Sequence, residues 1–434
     1  MKKIFLILFV SILTLYCNAQ ERIPISKQEV IAKVNENNNK LKIVEQEVIA
    51  AKGDLNQTNA VFLPNITASY TGIATTNPLM AFGSKLNQGI LTQNDFDPNL
   101  LNNPSQTQNF ATKIEIQQPI LNLDGIYQRR AARSKFNASK FQLHRSKEYF
   151  VIEAEKAYMQ LQLAYKTVAV LETAKQSITE NLRIAKNSFE QGYLQKSDVL
   201  AVEVRVTEVE NQLQYARSNV ENASNYLSVL MNDISYKLYS PSDSLRLYSE
   251  DISVKNLSEN RADLLAMQAA TDAYEQMYKA DKMTFLPRLN AFGSFELYDN
   301  EIFQADSNGY LFGASLSWNV LEGTKRFGKA QSSKAEFKKS EFEYDQYKAE
   351  SQMELNRAKR MLLDAKNNLK LTDLGLQQSK EALRIRTNRF KEGLEKTSDL
   401  LIAETQFSQK QLEYYNTIFQ YNYAWVYVQF LTKK

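Results

Sequence analysis

FEQGYLQKSDVLAVE, residues 189–203, returns as FKEGLEKTSDLLIAE at residues 390–404, 201 positions later and without a gap. Phe189 aligns with Phe390, Gly192 with Gly393, Ser197 with Ser398, Asp198 with Asp399 and Glu203 with Glu404. Neither copy holds a histidine or a glycine-rich phosphate loop, so the repetition points to a structure built twice rather than to a chemical centre.

Outside this stretch the repetition continues. VFLPNITASY at 61–70 is echoed by TFLPRLNAFG at 284–293, with Pro64 on Pro287, and KIEIQQPIL at 113–121 more weakly by ASLSWNVL at 314–321. Each half reads as a helix closing near Leu-Pro, two extended stretches, a very long helix, the repeated turn and a returning helix. The expected boundaries are a signal peptide over 1–19, a first repeat over 20–232, a linker or equatorial region over 233–255 and a second repeat over 256–434.

Spacing identifies the long helices. Leu355, Leu362, Leu369, Leu376, Leu383 and Phe390 recur every seven residues, with Ala358, Ala365, Thr372 and Ser379 between them, a coiled-coil seam of large and small residues. In the first half Leu161, Val168, Leu182 and Phe189 hold the corresponding seam, with Lys175 breaking it. Helices over 124–190 and 324–390 would each be on the order of 100 Å long at about 1.5 Å per residue. Shorter helices are expected over 26–62, 197–232, 256–286 and 400–431, amphipathic and water-exposed on their outer faces.

The extended stretches alternate with a period of two. Phe110, Thr112, Ile114 and Ile116 fall opposite Ala111, Lys113, Glu115 and Gln117; Tyr310, Phe312, Ala314, Leu316 and Trp318 share a face, as do Ile66, Ala68 and Tyr70, and Leu289, Ala291, Gly293, Phe295 and Leu297. One apolar face with aromatics near the ends fits transmembrane β-strands. A soluble antiparallel sheet packed on helices is the competing reading of the alternation. Four strands cannot close a barrel with a lumen, so several chains would share one; three copies of four strands make twelve, a porin-like closure.

Composition narrows the class. Lys2 and Lys3, the apolar stretch Ile4 to Tyr16 and Cys17-Asn18-Ala19 have the layout of a secretory signal cleaved after Ala19; lipidation at Cys17 is the alternative, with bulky Tyr16 against it. Cys17 is the only cysteine, so a mature chain would carry no disulfide. The formal charge of +4 includes the two signal lysines, which leaves +2 and no basis for a nucleic-acid partner. After the signal no run of about 18 apolar residues occurs, so a membrane would be crossed by a closed β-barrel and not by a helix.

At the repeated turn, Gly192 and Gly393 stand where each seam stops, the place of a left-handed C-terminal cap, and Ser197-Asp198 and Ser398-Asp399 stand where an N-cap would begin the returning helix. Asp198 and Asp399 admit a second role: carboxylates from several chains would form a ring at a pore constriction.

Two homologous halves, Leu63-Pro64 and Leu286-Pro287 before the strands, and turns reading F-x-x-G-x-x-x-x-S-D-[VL]-L resemble the TolC family of outer-membrane efflux proteins over essentially the whole mature chain. The resemblance implies a mainly α chain contributing to a trimer, with a twelve-stranded membrane β-barrel continuing into a long α-helical coiled-coil barrel in the periplasm. It implies a homotrimer in outer-membrane lipid that works with a periplasmic adaptor (membrane fusion) protein and an inner-membrane pump. Adaptor contact would fall at Gly192, Ser197, Gly393 and Ser398, and the aperture carboxylate at Asp399, with Asp198 its counterpart. Two departures stand out: Ile402 occupies the place of a second aspartate, and Glu395 that of a basic latch residue. The Asn-, Gln- and Pro-rich segment 72–108 would be an external loop, a partial plug or, most ordinarily, a disordered surface loop.

An enzyme is the first competitor, and its inventory is poor. His144, the sole histidine, sits among Lys and Arg on a long helix, and no Cys/His cluster or nucleophile elbow occurs, so no cofactor or metal is expected. A periplasmic coiled-coil scaffold or adaptor without a pore is the second; it would share the export signal and heptads but has no need of apolar-faced strands.

Overall fold

The computed structural model describes residues 22–235, 237–248 and 256–433. The expected signal peptide and Cys17 lie outside these residues, as does part of the expected 233–255 linker. The chain divides into two units, one of residues up to Gln46, Phe141–Leu265 and those from Gln346 onward, the other of Glu47–Lys140 and Ala266–Asp345. In chain order the helices are α1 (Lys27–Asn37), α2 (Asn39–Gln57), α3 (Pro78–Asn87), α4 (Pro98–Asn102), α5 (Leu123–Glu190), α6 (Lys196–Leu230), α7 (Ala262–Met283), α8 (Lys325–Lys391) and α9 (Thr397–Thr432). The strands are β1 (Arg22–Ile25), β2 (Asn65–Thr75), β3 (Thr107–Leu121), β4 (Leu238–Pro241), β5 (Arg288–Asp299) and β6 (Ser307–Ser317).

In the first unit, Ser26 opens α1 with a capping box, its amide donating to Glu29 Oε2 at 2.8 Å and its Oγ accepting from the Glu29 amide at 3.3 Å. The single helix expected over 26–62 is broken at Asn38, whose backbone is extended. Asn38 Oδ1 accepts from the amides of Lys40 and Leu41 at 2.9 and 3.2 Å, capping α2, while its Nδ2 donates to Leu230 O at 2.8 Å. A buried asparagine thus satisfies ends that an unbroken helix would not have had. β1 and β4 form a short parallel pair.

The expected α8 seam is the observed one. Leu355, Ala358, Leu362, Ala365, Thr372 and Phe390 are buried while most intervening residues are exposed, and the first four pack with Ile418, Tyr421, Ala424 and Val428 of α9. In α5 the expected seam holds at Leu161, which is fully buried, and in part at Val168 and Leu182, which are half-buried, but rotates around Lys175. Leu171, Ala174, Ile178, Asn181 and Ala185 are buried, whereas Phe189 is 43% exposed. Lys175 is the reason: its ammonium pairs with Glu210 at 2.8 Å at the surface, so the neighbouring apolar row faces Val199, Val202 and Val209 of α6 instead.

The C-terminal end of α9 is held by two buried arginines. Arg145 Nη1 donates to Phe430 O at 3.1 Å with its guanidinium 3.5 Å from the Phe430 ring centre, and Arg261 Nη1 donates to Leu431 O at 3.4 Å. Arg261 also meets Asp263 Oδ1 and Ser351 Oγ, each at 2.6 Å, and Tyr347 donates to Asp263 Oδ2 at 2.8 Å. Burial alone would raise the Asp263 carboxyl, but Arg261, Arg145 and Tyr347 hold it below its ordinary range. Orphan helix carbonyls and buried charges satisfy one another here.

The second unit carries an antiparallel sheet in the order β2-β3-β5-β6, so β2 and β6 are edges without a partner strand among the described residues. Segment 72–108 is not a disordered loop: it contains the end of β2, α3, α4 and the start of β3. No helix among the described residues is long and apolar enough to cross a membrane.

Candidate functional site

Both repeated turns close in the same way. Gly192 has φ +81° and Gly393 φ +71°. Gly192 N donates to Phe189 O at 2.9 Å and Tyr193 N to Ser188 O at 2.8 Å; Gly393 N donates to Phe390 O at 3.1 Å and Leu394 N to Arg389 O at 2.9 Å. This pair of bonds is the Schellman motif, which requires a left-handed residue after the helix. Nothing lies within 4 Å of where a Cβ would stand on either glycine, so backbone conformation and not space demands glycine.

The returning helices start earlier than expected. Their N-caps are Gln195 and Lys396, which puts Ser197 and Ser398 at the second helical position and Asp198 and Asp399 at the third. The serines are therefore not caps. An acid at the third position reaches back instead, and Asp198 Oδ2 accepts from the Gln195 amide at 3.1 Å. Asp399 accepts no such bond among the described residues; its Oδ2 lies 3.7 Å from Arg386 Nη1.

The two turns differ most in charge. In the second, Arg386 Nη1 meets Glu395 Oε1 at 2.8 Å, Arg389 Nε meets Glu395 Oε2 at 2.9 Å, and Arg389 Nη2 donates to Leu394 O at 3.1 Å. The positions aligned with Arg386, Arg389 and Glu395 in the first turn are Ala185, Ser188 and Leu194, which carry no charge. Glu395, notable in the sequence as an acid in place of a base, is thus the centre of a network that ties the end of α8 to the turn.

Glu203 and Glu404 diverge as well. Glu203 is on the surface with Lys186 at 2.9 Å. Glu404 is 2% exposed, and neither carboxylate oxygen has a hydrogen-bond partner among the described residues. Burial pushes its carboxyl up to about 7, against the opposing charge of Arg205 on α6, whose Nε is itself buried and unpartnered. In the sequence Glu404 is only the last residue of the repeat, and nothing there distinguishes it from Glu203.

In the sheet, the strand register gathers a continuous row of apolar side chains on one face and the charged side chains Lys113, Glu115 and Glu296 on the other. Ile66, Ala68 and Tyr70 lie opposite Ile116, Ile114 and Thr112; Ile114 lies opposite Phe295, and Phe295 and Gly293 opposite Tyr310 and Phe312. Tyr310 and Phe312 are each 77% exposed, and no helix among the described residues covers Ile66, Ile114, Ile116 or Phe295, which are exposed as well. The other face is polar, with Lys113 Nζ 3.2 Å from Glu115 and 3.4 Å from Glu296. A soluble sheet packed on helices would cover its apolar face; this sheet leaves that face open and pairs charges on the other, as a barrel strand set does between lipid and lumen.

A model of the outer membrane efflux protein family matches residues 30–233 and 254–432. No curated protein sequence matches the chain. Among solved structures, the chain is similar to a membrane protein from Pseudomonas aeruginosa (TM-score 0.82, 17% identity, 94% of this chain and 93% of that one). It is similar to the Campylobacter jejuni CmeC outer membrane channel (TM-score 0.79, 17% identity, 94% and 85%). It is also similar to the Neisseria gonorrhoeae MtrE outer membrane channel in its open state (TM-score 0.77, 14% identity, 94% and 88%).

Proposed function

The chain belongs to the outer membrane efflux protein family, and we propose that it is the outer-membrane exit duct of a tripartite efflux or type I secretion machine. Three copies place their four-stranded sheets edge to edge in a twelve-stranded barrel, four strands from each chain. The helices of the two halves, 20–232 and 256–434, line a periplasmic tunnel that narrows at the repeated turns. A periplasmic adaptor engages the turns around Gly192, Ser197, Gly393 and Ser398, and an inner-membrane pump feeds the tunnel.

At the narrow end Asp399 and Asp198 contribute carboxylates to the aperture. Asp399 is the stronger of the two for this task, because Asp198 is committed to capping α6 while Asp399 has only a 3.7 Å approach to Arg386. A ring of such groups favours cations.

The observation that carries this reading is the open-edged sheet whose register puts an exposed apolar row on one face and paired charges on the other. A coiled-coil scaffold has no use for it. The test is conductance in a planar bilayer together with mass in detergent: a trimer with ion conductance is expected, and a monomer without conductance under any condition would overturn the proposal.

A further inference from the structure

We propose that the connection between β2 and β3 is a folded lid that leans over the lumenal face of the barrel and packs there against the same element of the two other copies. This rests on the barrel reading above and goes beyond it, because an open duct needs no such element.

The connection is built, not slack. Asn77 Oδ1 caps α3 by accepting from the Met80 amide at 3.2 Å, and Pro78 occupies the first helical position. Thr92 N donates to Asp95 Oδ2 at 2.7 Å, and Lys85 Nζ reaches Asp95 Oδ1 at 2.8 Å, which ties the middle of the connection back to α3. Lys85 and the two Thr92 donors hold the Asp95 carboxyl down to about 2, so this clasp keeps its charge throughout the working pH range. Phe82 and Phe96 meet edge to face with ring centres 5.7 Å apart.

Its seat is the polar face. Gln88 Nε2 donates to Gln108 O and Asn109 Oδ1, each at 2.8 Å, and to Asp299 O at 3.1 Å. Asn109 shares the side of β3 that carries Lys113 and Glu115, and it is buried beneath the connection, as is Thr107. Leu86 and Asn87 join Ser294, Glu296, Tyr298 and Gly309 around a cavity of about 390 Å³. The lid therefore sits on the side that the barrel reading assigns to the lumen.

The lid's own surface identifies its occupant. Leu79 is 81% exposed, and Met80, Leu86, Phe96 and Leu100 are exposed as well. An apolar cluster held over a water-filled mouth requires cover. Closing the barrel requires β2 and β6 to pair with neighbouring chains, and the lid already borders β6, where Gly89 approaches Ser307. Three such clusters are thereby brought into one opening, each able to cover the others.

The test uses the full chain in the outer membrane of whole cells. Thr67→Cys lies on the polar face of β2, about 26 Å along the strand from its end at Thr75 at ~3.3 Å per residue; Ala68→Cys lies on the apolar face. With the native lid, Thr67→Cys should react with a small impermeant maleimide and resist a polymer-linked one. Replacing 78–103 by a short Gly-Ser bridge should abolish this size discrimination. Equal reaction with both reagents in the presence of the native lid would overturn the lid. Failure of Thr67→Cys to react with either reagent, in native and bridged chains alike, while Ala68→Cys reacts, would instead overturn the barrel reading. Separately, Leu79→Cys should give chain-to-chain adducts with a bifunctional maleimide, and adduct-free trimers would overturn the contact between copies.

Discussion

Arg386 and Glu395 bridge the second helical turn with Nη1 and Oε1 2.8 Å apart, while the aligned residues of the first turn, Ala185 and Leu194, bear no charge. The second turn of each chain therefore has an arginine–glutamate brace that the first turn, held by its backbone cap and by Asp198 at the Gln195 amide, does not have. The bridge is partly exposed and two-membered on the arginine side, so it is worth about 1–2 kcal/mol and weakens with salt. Glu395→Ala should raise the open fraction of the reconstituted channel, and high salt should move the unaltered protein in the same direction. Identical closed lifetimes in the variant and parent at low salt would show that the bridge does not restrain opening.

Glu404 makes stability depend on pH in a definite direction. Its folded carboxyl titrates at about 7, above the ordinary 4.5, so its contribution is fully present below 4.5 and is lost as pH rises through 7. That gap corresponds to on the order of 3 kcal/mol. Thermal unfolding should show a chain more stable at about pH 5 than at about pH 8, and Glu404→Gln should flatten the difference. A Glu404→Gln profile parallel to the parent would assign the pH dependence elsewhere.

Asp198 and Asp399 should separate under substitution. Asp198→Ala removes a cap and should cost about 1 kcal/mol of stability. Asp399→Ala should cost less and should reduce cation preference and block by multivalent cations. Reversal potentials in asymmetric salt decide the matter: unchanged selectivity in Asp399→Ala would remove it from the aperture.

Arg261→Ala should be among the most damaging single changes in the first unit. It leaves Asp263 buried beside one arginine fewer and Leu431 O without a donor, a loss of about 3–5 kcal/mol. Arg261→Lys should restore only part of this, since an ammonium cannot serve Asp263, Ser351 and Leu431 O in the same plane. Melting temperatures of the two variants check the order; a lysine variant equal to the parent would count against the geometric account.

Gly393→Ala should cost about 1 kcal/mol through its positive φ alone, because no neighbouring atom obstructs a methyl group there. Gly393→Asn, which tolerates the left-handed region, should cost less. Equal losses for the two would point to a role beyond the backbone.

The sequence by itself determined the long helices, the four strands of the sheet and their order, because seams, alternating strands and capping glycines are local periodicities written in neighbouring residues. Leu355 to Phe390 read as a seam, and Gly192 and Gly393 read as helix ends, from spacing alone. Tertiary structure decided which of two near-identical residues is buried: Phe390 and Glu404 are, while Phe189 and Glu203 are not. It also decided that Asn38 breaks a helix, that the α5 seam turns away from Lys175, and that the segment after β2 folds onto the polar face. In each of these, the outcome depends on what a distant part of the chain places opposite the residue, since burial is a property of the covering neighbour and not of the residue covered.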